Sequence, residues 1–145
     1  MVEVKIKDLS KLDEIIQRNI ECCNLAKRAS VQYARSMIVV YLSNGNGRVW
    51  TDDLEDPHAF LFVTTGKKPL LNEMTGFINS LYLDKDHRSN DKVKEMLDVA
   101  RMWSKAQGCS RFQVSSWLFG GCEDITSLWE SNGFEKQELT LTTTI

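Results

Sequence analysis

The segment from Met74 to Gly108 limits what this chain can become more than any other. Met74 to Leu83 (MTGFINSLYL) is rich in aromatic and β-branched residues and reads as a long strand, with Gly76 as its bulge site. Ser89 or Asn90 then opens the clearest helix of the sequence. Val93, Met96, Leu97, Ala100, Trp103 and Gln107 recur at the helical period, and Gly108 stops it. Arg111 to Ser115 (RFQVS) reads as another short strand. Strand, helix and strand in that order predict a right-handed crossover, with the helix packed on the sheet through Val93, Met96, Leu97, Ala100 and Trp103.

The flanking elements fit around this unit. Val2, Val4 and Ile6 alternate with Glu3, Lys5 and Lys7 and predict a half-buried strand. Asp8 or Ser10 can cap a helix whose apolar face is Leu9, Leu12, Ile16, Ile20 and Cys23. A second helix places Ala26, Ala29 or Ser30, Tyr33, Met37 and Tyr41 on one side and ends at Asn44-Gly45-Asn46-Gly47. Strands follow at Arg48 to Asp52 and Ala59 to Thr65 (AFLFVTT). Beyond the crossover, Trp117 to Cys122 reads as a loop with its aromatics over the core. Asp124 to Asn132 reads as a short helix closed by Gly133. Phe134-Glu135 and Leu139 to Ile145 read as strands. The whole order, β-α-α-β-β-β-α-β-α-β-β, predicts a mixed α+β fold in one domain spanning residues 1–145.

Composition removes several function classes. A length of 145 residues with 42% apolar residues supports a core without disulfides or a structural metal. A formal net charge of -2 argues against general nucleic-acid binding. The longest apolar run, Met37 to Leu42, is far too short for a membrane span, and no leader-like apolar segment follows Met1. Cys22, Cys23, Cys109 and Cys122 lack metal-ligand spacing and predict reduced thiols in a cytoplasmic protein. Asp52, Asp53, Glu55 and Asp56 read as a solvated acidic turn, and His87 as a surface-loop histidine.

Two stretches carry a resemblance. Leu81-Tyr82-Leu83-Asp84-Lys85-Asp86-His87-Arg88 leads from a strand directly into a helix that continues to Met96-Leu97. Leu128-Trp129-Glu130-Ser131-Asn132-Gly133-Phe134-Glu135 forms a helix-to-strand turn. With the element order, they resemble the GNAT superfamily of acyl-CoA-dependent N-acyltransferases. The first resembles its Arg/Gln-x-x-Gly-x-Gly/Ala motif and the second its Leu-Tyr-Glu-x-x-Gly-Phe-Glu turn. The resemblance implies a GNAT-like fold with a central mixed, mostly antiparallel sheet flanked by helices. It implies direct attack of an amine on the thioester of acetyl-CoA, without a covalent enzyme intermediate.

It also implies a site. Backbone amides near Leu81 and Leu83 would hold the pantetheine arm of acetyl-CoA. The amides from Ser89 through Asn90, Asp91 and Lys92 to Val93, with Arg88 beside them, would meet its pyrophosphate at the helix N-terminus. Glu73 is the candidate base, and Tyr82 the candidate proton donor to the departing thiolate. This sequence departs from the family pattern at four positions. Asp91 and Val93 replace small residues, Trp129 replaces the tyrosine that often serves as general acid, and Cys122 replaces an asparagine. An indole does not supply that proton. These departures define the alternative reading, a non-catalytic GNAT-like module for binding or structure, including in a virus particle. The uncharged terminal strand Leu139 to Ile145 predicts a covered edge, in the preferred version within a homodimer.

Overall fold

The computed structural model describes residues 1–23, 29–115, 126–137 and 143–145. Strands β1 (Val2–Glu3), β2 (Gly47–Thr51), β3 (Ala59–Lys67), β4 (Met74–Leu83) and β5 (Arg111–Gln113) form one sheet in the order β1-β2-β3-β4-β5. Neighbours are antiparallel except β4 and β5, which run parallel. Helix α3 (Asn90–Ala106) makes the crossover between that pair. Helices α1 (Asp13–Cys22) and α2 (Val31–Ser43) follow a 3-10 helix, Ile6–Leu12, and α4 is Thr126–Ser131.

The sheet separates two apolar layers. On one face α3 buries Val93, Met96, Leu97 and Ala100 against Leu61, Val63, Ile78, Leu81 and Leu83. On the other, Leu9, Leu12, Ile15, Ile16, Ile20 and Ile38 pack against Val49, Phe60 and Tyr82. Alternation along β3 and β4 distributes their side chains to both layers. Burial of the α3 stripe agrees with its periodicity, and Gly108, at φ 84°, ends the helix as expected.

Several expectations need correction. Ile6 belongs to the 3-10 helix and is 46% exposed, so the first strand stops at Glu3. Extending its register beyond Val2↔Thr51 and Glu3↔Trp50 would set Lys5 opposite Arg48, a like-charge cross-strand pair. The Glu3 carboxylate instead receives both Lys5 and Arg48. Neither Asp8 nor Ser10 caps the helix that follows; α1 starts after Leu12 with no side-chain cap. α2 is rotated from the expected face. Ile38 is its buried residue, while Tyr33 is 64% exposed and Met37 also faces outward. Its sequence, VQYARSMIVVYLS, is apolar nearly all round and gives periodicity little contrast. The Arg35 ion pair to Asp13 of α1, at 3.0 Å, accompanies the observed rotation.

The β4 irregularity lies at Asn79, because Phe62 pairs with Ser80 while Val63 pairs with Ile78. Gly76 stays in register and serves a close approach of α3 instead. Phe134-Glu135 is not a strand. The Phe134 N–H closes α4 by donating to the Trp129 carbonyl (3.1 Å), one residue past Gly133 at φ 85°. Ala26, the Trp117–Cys122 loop, Asp124 and most of the expected terminal strand lie outside the described residues; residues 143–145 are irregular.

Candidate functional site

β4 and β5 pair only at Thr75↔Arg111, Gly76↔Phe112 and Phe77↔Gln113. From Ile78 to Leu83, β4 keeps β3 on one side and has no ladder partner on the other among the described residues. The bulge at Asn79 sits where the strands part. Asn79 and Ser80 both turn toward the α1 side: Asn79 Nδ2 donates to Thr64 Oγ1 at 2.7 Å, and Asn19 Nδ2 of α1 donates to Ser80 Oγ. Leu81 and Leu83 are fully buried beneath α3, so only their backbone groups can meet a ligand.

This edge leads through the 3-10 turn Lys85–His87 to the start of α3. Ser89 is the N-cap: its Oγ accepts from Lys92 N at 3.1 Å and its carbonyl accepts from Val93 N at 3.1 Å. The Asn90 and Asp91 N–H groups remain outside the intrahelical ladder. Val93 is 3% exposed and packs in the core beneath α3. Asp91 is exposed in the first turn, and Lys92 is drawn to Glu95 at 2.9 Å. Arg88 Nε donates to the Leu83 carbonyl at 3.0 Å, and its Nη2 lies 3.7 Å from Cys22 Sγ. Its guanidinium therefore spans the end of β4 and the end of α1.

The expected proton-transfer residues are not brought together. Glu73 lies at the opposite end of β4 from Leu83, roughly 30 Å of extended strand away, where it receives Ser110 Oγ and Arg111 Nε at 3.4 Å each. Tyr82 is 6% exposed on the α1 face and donates its hydroxyl to Asp84 Oδ1 at 3.0 Å. Burial, reinforced by that carboxylate, pushes its phenol up to about 12. Trp129 is 3% exposed and packs edge-on against Phe134.

Asp84 gathers residues that sequence spacing did not connect. Arg18 Nε and Nη2 donate to its two oxygens at 2.9 and 3.0 Å, and His58 Nδ1 lies 2.9 Å from Oδ2. Burial opposes ionisation of Asp84, but hydrogen bonds from His58, Arg18 and Tyr82 outweigh it and hold the carboxyl below its ordinary value. The acidic turn also has internal work. Asp52 Oδ1 accepts from the His58 and Ala59 N–H groups at 2.9 Å each, while Asp53 Oδ1 accepts from Glu55 N at 2.8 Å. His87 is exposed on its turn, as expected, and its ring also stacks on His58.

The arrangement offers a strand edge that is unpaired among the described residues, suited to an extended, amide-bearing ligand, and a helix N-terminus for an anion. Asp91 is the local charge opposed to that anion. Among the described residues, no group of three or more His, Cys, Asp or Glu can hold a metal ion, and no helix is long and apolar enough to cross a membrane.

No family model and no curated protein matches the sequence. Solved structures do match in shape. A predicted acetyltransferase with acetyl-CoA from Clostridium acetobutylicum superposes with a TM-score of 0.79 at 15% identity, covering 99% of this chain and 94% of that one. An aminoglycoside antibiotic 6'-N-acetyltransferase from Acinetobacter haemolyticus gives 0.72 at 15% identity, covering 99% and 96%. Glucosamine-6-phosphate N-acetyltransferase from Arabidopsis thaliana gives 0.71 at 15% identity, covering 99% and 95%. At this identity the likeness establishes the fold: the chain is built as GNAT acetyltransferase domains are.

Proposed function

We propose that the chain is an acyl-CoA-dependent N-acyltransferase, taking an acyl group from acetyl-CoA and giving it to an amine. The observation that carries this reading is the parting of β4 from β5 near Asn79, with a β4 edge that is unpaired among the described residues running from there toward the N-terminus of α3. In this reading the pantetheine amides lie along the Leu81 and Leu83 backbone. The pyrophosphate meets the Asn90 and Asp91 N–H groups, with Arg88 turning toward it from the Leu83 carbonyl. A neutral amine attacks the thioester carbonyl, the C–S bond breaks, and an amide and CoA thiol result. The amine's proton passes to water, and water protonates the thiolate, because the Tyr82 hydroxyl is committed to Asp84.

A second reading, a non-catalytic module on the same fold, is favoured by one specific group. Asp91 places a carboxylate in the α3 turn that would receive the phosphates. The readings separate in an assay of thiol release from acetyl-CoA with a panel of primary amines, including an aminoglycoside and an amino sugar. Amine-dependent thiol release supports the transferase. Saturable CoA binding with no thiol release from any amine supports the module.

A further inference from the structure

We propose that His58 and His87 form a charge-dependent latch that positions the turn leading into α3, making ligand binding at the β4–α3 junction sensitive to pH. The ligand part rests on the function proposed above; the latch itself does not.

The two carboxylates around His58 favour its charged form. His58 Nδ1 lies 2.9 Å from Asp84 Oδ2, and Nε2 lies 3.1 Å from Asp56 Oδ2. An ionised carboxylate only accepts, so both contacts are hydrogen bonds at once only in the imidazolium, whose two ring nitrogens both donate. His87 lies over this cation with ring centroids 3.8 Å apart and planes within 7°. The backbone runs the same way: Asp84 N donates to the His58 carbonyl at 2.9 Å, and His87 N to the Asp84 carbonyl at 2.8 Å.

Charged and titratable groups meet this pair from every side. Asp84 and Tyr82 come from the end of β4, Asp56 from the acidic turn, and Arg18 from α1. Arg18 also donates to the Pro57 carbonyl at 2.8 Å, joining the acidic turn to the end of β4. Lys85, Asp86 and Arg88 flank His87 on its own turn. The turn ends at Arg88, next to the Ser89 cap, so whatever holds His87 also sets where α3 presents its first amides.

The hydrogen bond to Asp84, with Asp56 adding to it against partial burial, raises the His58 pKa above its ordinary 6.5. A raised folded value means the latch is fully present below that ordinary value and is lost as pH rises through the folded one. Once deprotonated, His58 turns a lone pair toward one carboxylate, and the acidic turn and the α3-leading turn lose their shared cation.

The test compares the wild type with His58→Arg and His58→Phe in the full chain. Arginine is a permanent planar cation that can meet both carboxylates and stack on His87; phenylalanine keeps only the ring. Imidazole nitrogen NMR across a pH titration should find both His58 nitrogens protonated on the acid side of a midpoint above the ordinary 6.5; a midpoint at or below 6.5 overturns the latch. Between about pH 6.5 and 9, CoA affinity of the wild type should fall roughly threefold to tenfold relative to His58→Arg. His58→Phe should bind more weakly at every pH. Identical pH profiles for wild type and His58→Arg overturn the positioning role. If no variant binds CoA, the proposed function fails on its own. Amide exchange across residues 85–88, corrected for intrinsic rate, then decides the latch. Exchange that rises with His58 deprotonation in the wild type but not in His58→Arg supports it, and equal exchange overturns it.

Discussion

Gly76 of β4 and Ser104 of α3 touch so closely that a side chain at Gly76 has nowhere to go. A Cβ built there would overlap the Ser104 hydroxyl and stand 2.7 Å from its Cβ, with Phe112 at 3.1 Å on the far side. The contact sets how near α3 lies to the sheet beside the paired part of β4 and β5. Gly76→Ala should therefore destabilise the fold by about 1–3 kcal/mol through overpacking. Ser104→Gly alone should cost about 0.5 kcal/mol in helix propensity. The double variant should recover about 1 kcal/mol relative to the sum of the two, as read by urea denaturation. Strict additivity would contradict the contact.

Asp84 ties α1, β4 and the acidic turn together, so its loss should be felt in stability. Asp84→Asn keeps the shape but leaves Arg18 and His58 without their shared carboxylate, at a cost of about 2–3 kcal/mol near neutral pH. Its carboxyl is held below the ordinary 3.8. Its contribution is therefore present above that value and lost as pH falls through the lower folded one. The stability gap between wild type and variant should narrow as pH falls below 3.8. A gap that persists undiminished there would show that the ionised carboxylate is not what holds these elements.

Asp91 supplies an opposing test on ligand affinity. It sits in the first turn of α3 beside the free amides, where a carboxylate favours the helix. Asp91→Asn should cost the protein about 0.3–1 kcal/mol of stability. It should also tighten CoA binding by roughly fivefold to a hundredfold, from the repulsion of one charge at about 5 Å in dielectrics of 80 to 20. Calorimetry reads both effects. Unchanged or weaker binding would place the phosphates elsewhere.

Residues near one another in sequence were largely readable. Met96 and Leu97 are buried because the α3 stripe recurs every three or four residues against a polar background. Gly108 and Gly133 end helices with the positive φ that glycine adopts without strain. The bounds of β4 and the Ser89 cap also agree with local pattern. What local pattern does not contain is the partner across the fold. Arg18 and Asp84 are 66 positions apart, and His58 and Asp84 are 26 apart. They meet only once α1 is laid over the ends of β3 and β4. Asn79 was passed over as the bulge because a glycine stood nearby, yet Gly76 is required by helix contact rather than by register. Local sequence presents Tyr82 as a substitute acid and Trp129 as a missing one. One donates to a carboxylate, the other fills the core, and neither fate is visible without the opposing layer.

In the proposed function, the β4 edge from Ile78 to Leu83, unpaired among the described residues, and the start of α3 together bind an acyl-CoA. A titration of the full chain with acetyl-CoA, followed by calorimetry and by backbone amide NMR, tests it most directly. The account predicts saturable binding with amide shifts concentrated at Ile78–Leu83 and Arg88–Lys92. No binding up to about millimolar ligand, or saturable binding that leaves those two segments unperturbed, would contradict it.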